Sequence, residues 1–179
     1  MITITKTADT ITSTIFLRKT PTLTALVNFL QTPENLITLN PLVESFHRSQ
    51  QPQPSPHADS DDKDDEGNII YTITDRIPIP LVCGLTIPST YTAEFSEPDE
   101  VMGMLCTSRA EMGVVTGSLF WVEDSTTGAV VKERFKVYRC PFGMRWFIMM
   151  VAGRSRVGMM ERLEEKLVRL CDEQEASDG

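Results

Sequence analysis

The stretch Val131 to Val137 reads Val-Lys-Glu-Arg-Phe-Lys-Val, and its alternation holds the sharpest chemical signal in the chain. Side chains on a strand switch faces at each residue, so Lys132, Arg134 and Lys136 point one way and Val131, Glu133, Phe135 and Val137 the other. A one-residue slip would bury three cations, so the register is well determined. Glu133 is therefore expected on an apolar inner face, where desolvation raises a carboxyl pKa and suits it to general acid or base work. The alternative is a structural carboxylate near a strand end or paired to an inward arginine. Tyr71 and Tyr91 fall on the apolar faces of their own alternating stretches, as does Phe95. A buried tyrosine ring needs a partner for its hydroxyl, and either a ligand carbonyl or a protein group can supply it.

Other chemistries lack their residues. The chain has no GxSxG, no glycine-rich phosphate loop, no HExxH and no CxxC pair. It has two histidines, His47 and His57, so a metal site built from several histidines is excluded and neither a metal nor a cofactor is expected. The cysteines Cys83, Cys106, Cys140 and Cys171 are widely spaced and read as reduced thiols. Net charge is −8, of which the segment Asp59–Glu66 carries −5 and the rest −3. No cluster of lysine and arginine suggests nucleic-acid binding. The first residues show no signal-peptide pattern, and the run Trp146–Ala152 is too short to span a membrane, so a cytoplasmic chain is expected.

The elements that must position these side chains follow from periodicity. Ile2 to Leu17 is rich in Thr and Ile and reads as one strand. Thr20-Pro21 and Thr32-Pro33-Glu34 are start signals for two short helices, the second stopped at Asn40-Pro41. Leu42–Arg48 reads as a strand. Residues 49–67 hold Gln, Pro, Ser and Asp with almost nothing apolar, and are expected to be a disordered acidic loop inside a single domain of residues 1–179. Asn68–Arg76, Thr86–Phe95, Val101–Ser108, Val114–Glu123 and Ala129–Arg139 read as strands, with Ile77-Pro78-Ile79-Pro80 breaking the first of them. Short gaps imply antiparallel neighbours. From Phe142 to Cys171 a long helix is expected, with Trp146, Met150, Gly153, Val157, Met160, Leu163, Leu167 and Leu170 on one face.

The reading is an α+β fold. A curved antiparallel sheet of about six or seven strands wraps one long C-terminal helix and leaves an apolar cavity between them. Trp121, Phe135, Trp146, Met149 and Met150 are candidate walls beside Tyr71 and Phe95, with core packing as the alternative for each. Which face of the strand Val114–Glu123 lines the cavity is open. Gly153, costly in a helix, marks either close approach of a strand or space at the helix middle.

This element order resembles the START-like, or SRPBCC, superfamily with its helix-grip, birch-pollen-allergen-like fold. Asn40-Pro41-Leu42-Val43, Tyr71–Leu81 and Thr90–Phe95 resemble a fungal branch of it. The resemblance implies a hydrophobic small molecule bound between sheet and helix, such as a sterol, lipid or polyketide, and no cofactor. One expectation is a cofactor-independent enzyme of secondary metabolism that promotes cyclisation, isomerisation or a pericyclic step on a polyketide or terpenoid intermediate, with Glu133 and Tyr91 as catalytic candidates. The other is a non-catalytic carrier of a lipid, sterol or similar ligand. A homodimer is left open.

Overall fold

A computed structural model describes residues 1–17, 19, 21–49, 68–79, 85–125 and 128–178. The Thr- and Ile-rich start folds as a hairpin of two strands, β1 (Ile2–Lys6) and β2 (Thr10–Phe16), where one strand was expected. The turn Thr7-Ala8-Asp9 holds no Gly or Pro, so the alternation runs through it without a visible break. The turn is closed instead by hydrogen bonds between Thr7 and Thr10. The acidic segment 50–67, the turn residues Thr126 and Thr127, and Cys83 lie outside the described residues.

Two short helices follow, α1 (Leu23–Leu30) and α2 (Pro33–Ile37). Thr22 caps α1, accepting from the Ala25 N–H, while the expected cap Thr20 lies outside the described residues. Strands β3 (Val43–Arg48), β4 (Ile69–Pro78), β5 (Thr86–Ser96), β6 (Gly103–Ala110), β7 (Val114–Ser125) and β8 (Gly128–Arg139) continue the chain. Pro78 does not break β4 early. It closes the strand opposite Thr86, where a missing N–H is tolerated. All neighbours are antiparallel, in the order β1-β2-β8-β7-β6-β5-β4-β3, so the described residues form an eight-stranded sheet.

Helix α3 (Met144–Asp178) runs for 35 residues, about 52 Å. Its second half and α1 fill one end of the concave face. There Met160, Leu163 and Leu167 pack with Ile15, Leu26, Leu30 and Val131 in the main core. A smaller cluster, Ile11, Phe135, Val137 and Ala152, sits under the first half of the helix. That division matters for function, because the first half of α3 is held off part of the sheet and space remains between them.

Candidate functional site: a cavity under the long helix

The space is a cavity of about 630 Å³, walled by β4–β8, by α2 with the loop after it, and by the first half of α3. Strand parity explains its lining. On β4, Ile73, Asp75 and Ile77 face inward. On β5, Tyr91 and Phe95 do so, on β6 Cys106 and Ser108, on β7 Thr116, Ser118 and Phe120, and on β8 Phe135. Helix α3 contributes Phe147, Ile148, Val151, Ser155, Arg156 and Met159. Most of this surface is apolar, which is the usual character of a small-molecule site. Ile87, Glu111 and Met112 stand where it opens, with Met112 73% exposed at the turn between β6 and β7.

Two hydrogen-bonded clusters stand out among the polar groups on this wall. The first is centred on Arg156. Its Nε donates to Glu133 Oε1 at 3.0 Å, and its Nη2 lies 2.9 Å from the same oxygen. Nη2 also donates to Ser118 Oγ at 3.1 Å, and Nη1 to Ser155 Oγ at 3.4 Å. The guanidinium lies over the Phe135 ring, 4.1 Å from its centre, a cation–π arrangement. Glu133 is fully buried on the inner face of β8 and also accepts from Ser13 Oγ at 3.3 Å. Burial pushes its carboxyl above the ordinary range, and the Arg156 charge and hydrogen bonds pull it back. Glu133 is not among the lining residues; Arg156 stands between it and the space.

The second cluster is Asp75, Tyr91 and Asn40, all of which line the cavity. Asp75 is 8% exposed and makes no ion pair among the described residues. Tyr91 donates its hydroxyl to both carboxylate oxygens at 3.3 Å, and Asn40 Nδ2 donates to Oδ2 at 3.2 Å. Asn40 Oδ1 accepts from the Leu42 N–H, which fixes the amide and the loop it belongs to. Desolvation pushes the Asp75 carboxyl up to about 6, and the hydrogen bonds from Tyr91 and Asn40 offset only part of that. The Tyr91 hydroxyl is raised above its usual value, chiefly by burial and then by the Asp75 charge, so it stays a donor. Cys106, on the wall between the clusters, is pushed up to about 11 by burial and stays a thiol at neutral pH.

Of the site residues expected from sequence, Tyr91, Phe95 and Phe135 line the cavity. The other candidates lie elsewhere. Tyr71 is buried in the main core and its hydroxyl donates to Glu34 on α2. Trp121 sits on the outer face of β7, under Arg134, with its indole N–H on Glu123. Trp146 is 70% exposed, Met149 packs at the smaller core cluster, and Met150 lines a separate recess with Pro41 and Arg154. A Cβ on Gly153 would meet the tip of the Lys6 side chain at 2.1 Å, so this glycine marks close approach of β1 and not space in the cavity.

The expected apolar stripe of α3 was therefore rotated in its first half. The true inward positions, Ile148, Ala152, Ser155 and Met159, continue back from Leu163 in steps of three and four. Two polar residues, Ser155 and Arg156, interrupt the apolar pattern there, while Trp146 supplies a bulky apolar residue on the wrong side. Arg156, Ser118 and Asp75 were missed. Asp75 had a signal, because it shares strand parity with Tyr71 and Ile73.

A grip of antiparallel sheet around one long helix, with two short helices after the first hairpin and a cavity between helix and sheet, is the START-like helix-grip fold. Within that class the chain belongs to the family described as "Domain of unknown function (DUF7053)", which it matches over residues 6–169. No curated protein matches it. Among solved structures it is similar to TTHA0849 from Thermus thermophilus, at 11% identity and a TM-score of 0.57, covering 89% of this chain and 97% of that one. It is also similar to a START superfamily protein from Mycobacterium smegmatis, at 12% identity and a TM-score of 0.55, covering 90% and 99%. A third similar structure is the ZhuI aromatase/cyclase from Streptomyces sp. R1128, at 11% identity and a TM-score of 0.52, covering 93% of each chain. These similarities define the fold. No helix among the described residues is long and apolar enough to cross a membrane.

Proposed function

We propose that residues 1–179 form one domain acting as a cofactor-free enzyme on a hydrophobic intermediate held between α3 and the sheet. The step is a cyclisation, isomerisation or pericyclic rearrangement of a polyketide- or terpenoid-like chain, in cytoplasmic secondary metabolism of a fungus. The observation that carries this reading is an apolar cavity of about 630 Å³ with two hydrogen-bonded polar clusters on its wall, one at Arg156 and one at Asp75–Tyr91. A passive apolar container needs neither. Apolar walls can hold a flexible chain in a reactive conformer. Arg156 Nη1, whose described partner is Ser155 at 3.4 Å, is placed to donate to a carbonyl oxygen as charge develops on it. Tyr91 spends its one hydroxyl proton on Asp75 and orients that carboxylate, and Asp75 is the acceptor for a proton leaving the substrate. Glu133 then acts through Arg156, as the residue that fixes the guanidinium, and is a positioning residue. The fold houses an aromatase/cyclase in Streptomyces, which is compatible with such chemistry.

The test is turnover of poly-β-keto thioester analogues by the purified chain, followed by mass spectrometry and ultraviolet absorbance. Tyr91→Phe should retain substrate affinity and slow product formation by roughly 10²-fold, the usual scale for a lost acid–base or polarising group. Tight binding without any conversion would reject the enzyme reading and leave a carrier.

A further inference from the structure

Charge in and around the cavity does not balance. Arg156 is consumed by Glu133, at 2.9 and 3.0 Å, so that pair is neutral as a unit. Among the described residues Asp75 has two hydrogen-bond donors and no cation in contact, and it faces the same space. The groups around it are Tyr91 on β5, Asn40 on the loop after α2, and Arg156 on α3 at longer range. Glu111 near the opening adds a second negative charge. A buried carboxylate without a counter-ion is costly, and whatever supplies the cation recovers that cost.

We propose that Asp75 is the counter-ion for a ligand carrying a protonated amine, so that the preferred ligands are hydrophobic amines and free acids are rejected. This rests on the reading that the cavity holds the hydrophobic ligand, and it narrows the substrate class to intermediates that carry an amine, for which Asp75 is the counter-ion in place of the proton acceptor named above. An ammonium entering among Tyr91, Phe95 and Asp75 would meet an ionised carboxylate already oriented by Tyr91 and Asn40, beside an aromatic face. The neutral Arg156–Glu133 unit remains available to a carbonyl elsewhere on the same molecule.

The coupling has a definite pH sign. The Asp75 carboxyl of the free protein sits near 6, so it is mostly protonated at pH 5 and mostly ionised well above that. An opposite charge at contact distance shifts a carboxyl by about 1–3 pKa units, and linkage makes the gain in ligand affinity the same factor, roughly 10- to 1,000-fold. Amine affinity should therefore rise as pH rises through the Asp75 titration.

The experiment compares 1-decylamine, 1-decanol and decanoate by calorimetry on the full chain, at about 0.15 M salt to screen the surface charge. The proposal expects decylamine to bind at least roughly 10-fold tighter than decanol, and decanoate to be weakest. It expects the amine advantage to shrink on moving to pH 5. In Asp75→Asn, where the amide can still accept from Tyr91, the amine and the alcohol should bind alike. Decanol binding as tightly as decylamine, decanoate binding best, or an amine advantage that survives both acid and Asp75→Asn overturns the proposal while leaving the cavity as a ligand site. Binding of none of the three overturns the proposal together with the cavity reading. The wild-type comparison across pH decides the matter even if the variant does not fold.

Discussion

Replacing Glu133 by alanine should lower the unfolding free energy by about 3–5 kcal/mol, because it strands Arg156 as a buried cation without its partner. The side chain of Arg156 is 11% exposed and that of Glu133 0%, so water can reach the stranded guanidinium only from the cavity side. Ser118 and Ser155 can each offer a hydroxyl oxygen but no charge. A loss of that size is a large share of the stability of an ordinary domain. The pair as a whole is a different matter, since replacing both partners with apolar residues is often neutral or stabilising. Glu133→Leu combined with Arg156→Met should therefore recover most of the loss. Urea denaturation of the two variants measures both effects. A drop below about 1 kcal/mol for Glu133→Ala would mean that the guanidinium finds solvent, and that Glu133 does not fix Arg156.

Filling the cavity should remove ligand binding without harming the fold. Ser108 is on the inner face of β6 and lines the space, with one weak partner in Cys106 at 3.7 Å. Ser108→Trp should insert an indole into the void and reduce affinity for the neutral probe N-phenyl-1-naphthylamine by at least roughly 10²-fold, equivalent to about 2.7 kcal/mol. Stability should hold or rise, since cavity filling generally stabilises. Gly153→Leu, by contrast, pushes against the flexible end of Lys6 and should leave probe affinity unchanged. Fluorescence titration separates the two. Loss of binding in Gly153→Leu with retention in Ser108→Trp would place the ligand on the other side of α3.

Much of the architecture was legible because its signals are local. The alternation Val131–Val137 placed Glu133 inward, and similar alternation placed Tyr91 and Phe95 on their strands. Helical spacing from Met160 to Leu167 gave the packed half of α3. The site itself was less legible, since a cavity is where apolar periodicity is broken. Ser155 and Arg156 occupy inward helix positions and read as gaps in the stripe, while Trp146 is exposed and reads as part of it. On β7 both faces carry large apolar residues. Phe120 faces the core and Trp121 lies beneath Arg134 on the outside, so parity alone could not choose between them. Tyr71 was placed on the correct strand face, but its hydroxyl is used by Glu34, a contact between elements far apart in sequence. Extending the ladder back from Leu163 through Met159 would have brought Arg156 to notice, and reading Asp75 with the parity of Ile73 would have done the same for the second cluster.

On the proposed function the ligand lies between the first half of α3 and the sheet, and the methionines can report on it directly. The chain has nine, and they fall in distinct places. Met144 and Met159 line the cavity and Met112 stands where it opens, whereas Met102 is exposed elsewhere and Met150 lines a separate recess. Methyl NMR of the chain labelled at the methionine methyl groups, titrated with N-phenyl-1-naphthylamine, should show the largest shifts at Met144 and Met159, a smaller one at Met112, and none at Met102 or Met150. Shifts confined to Met102 or Met150, or saturable binding that moves neither Met144 nor Met159, would contradict the account.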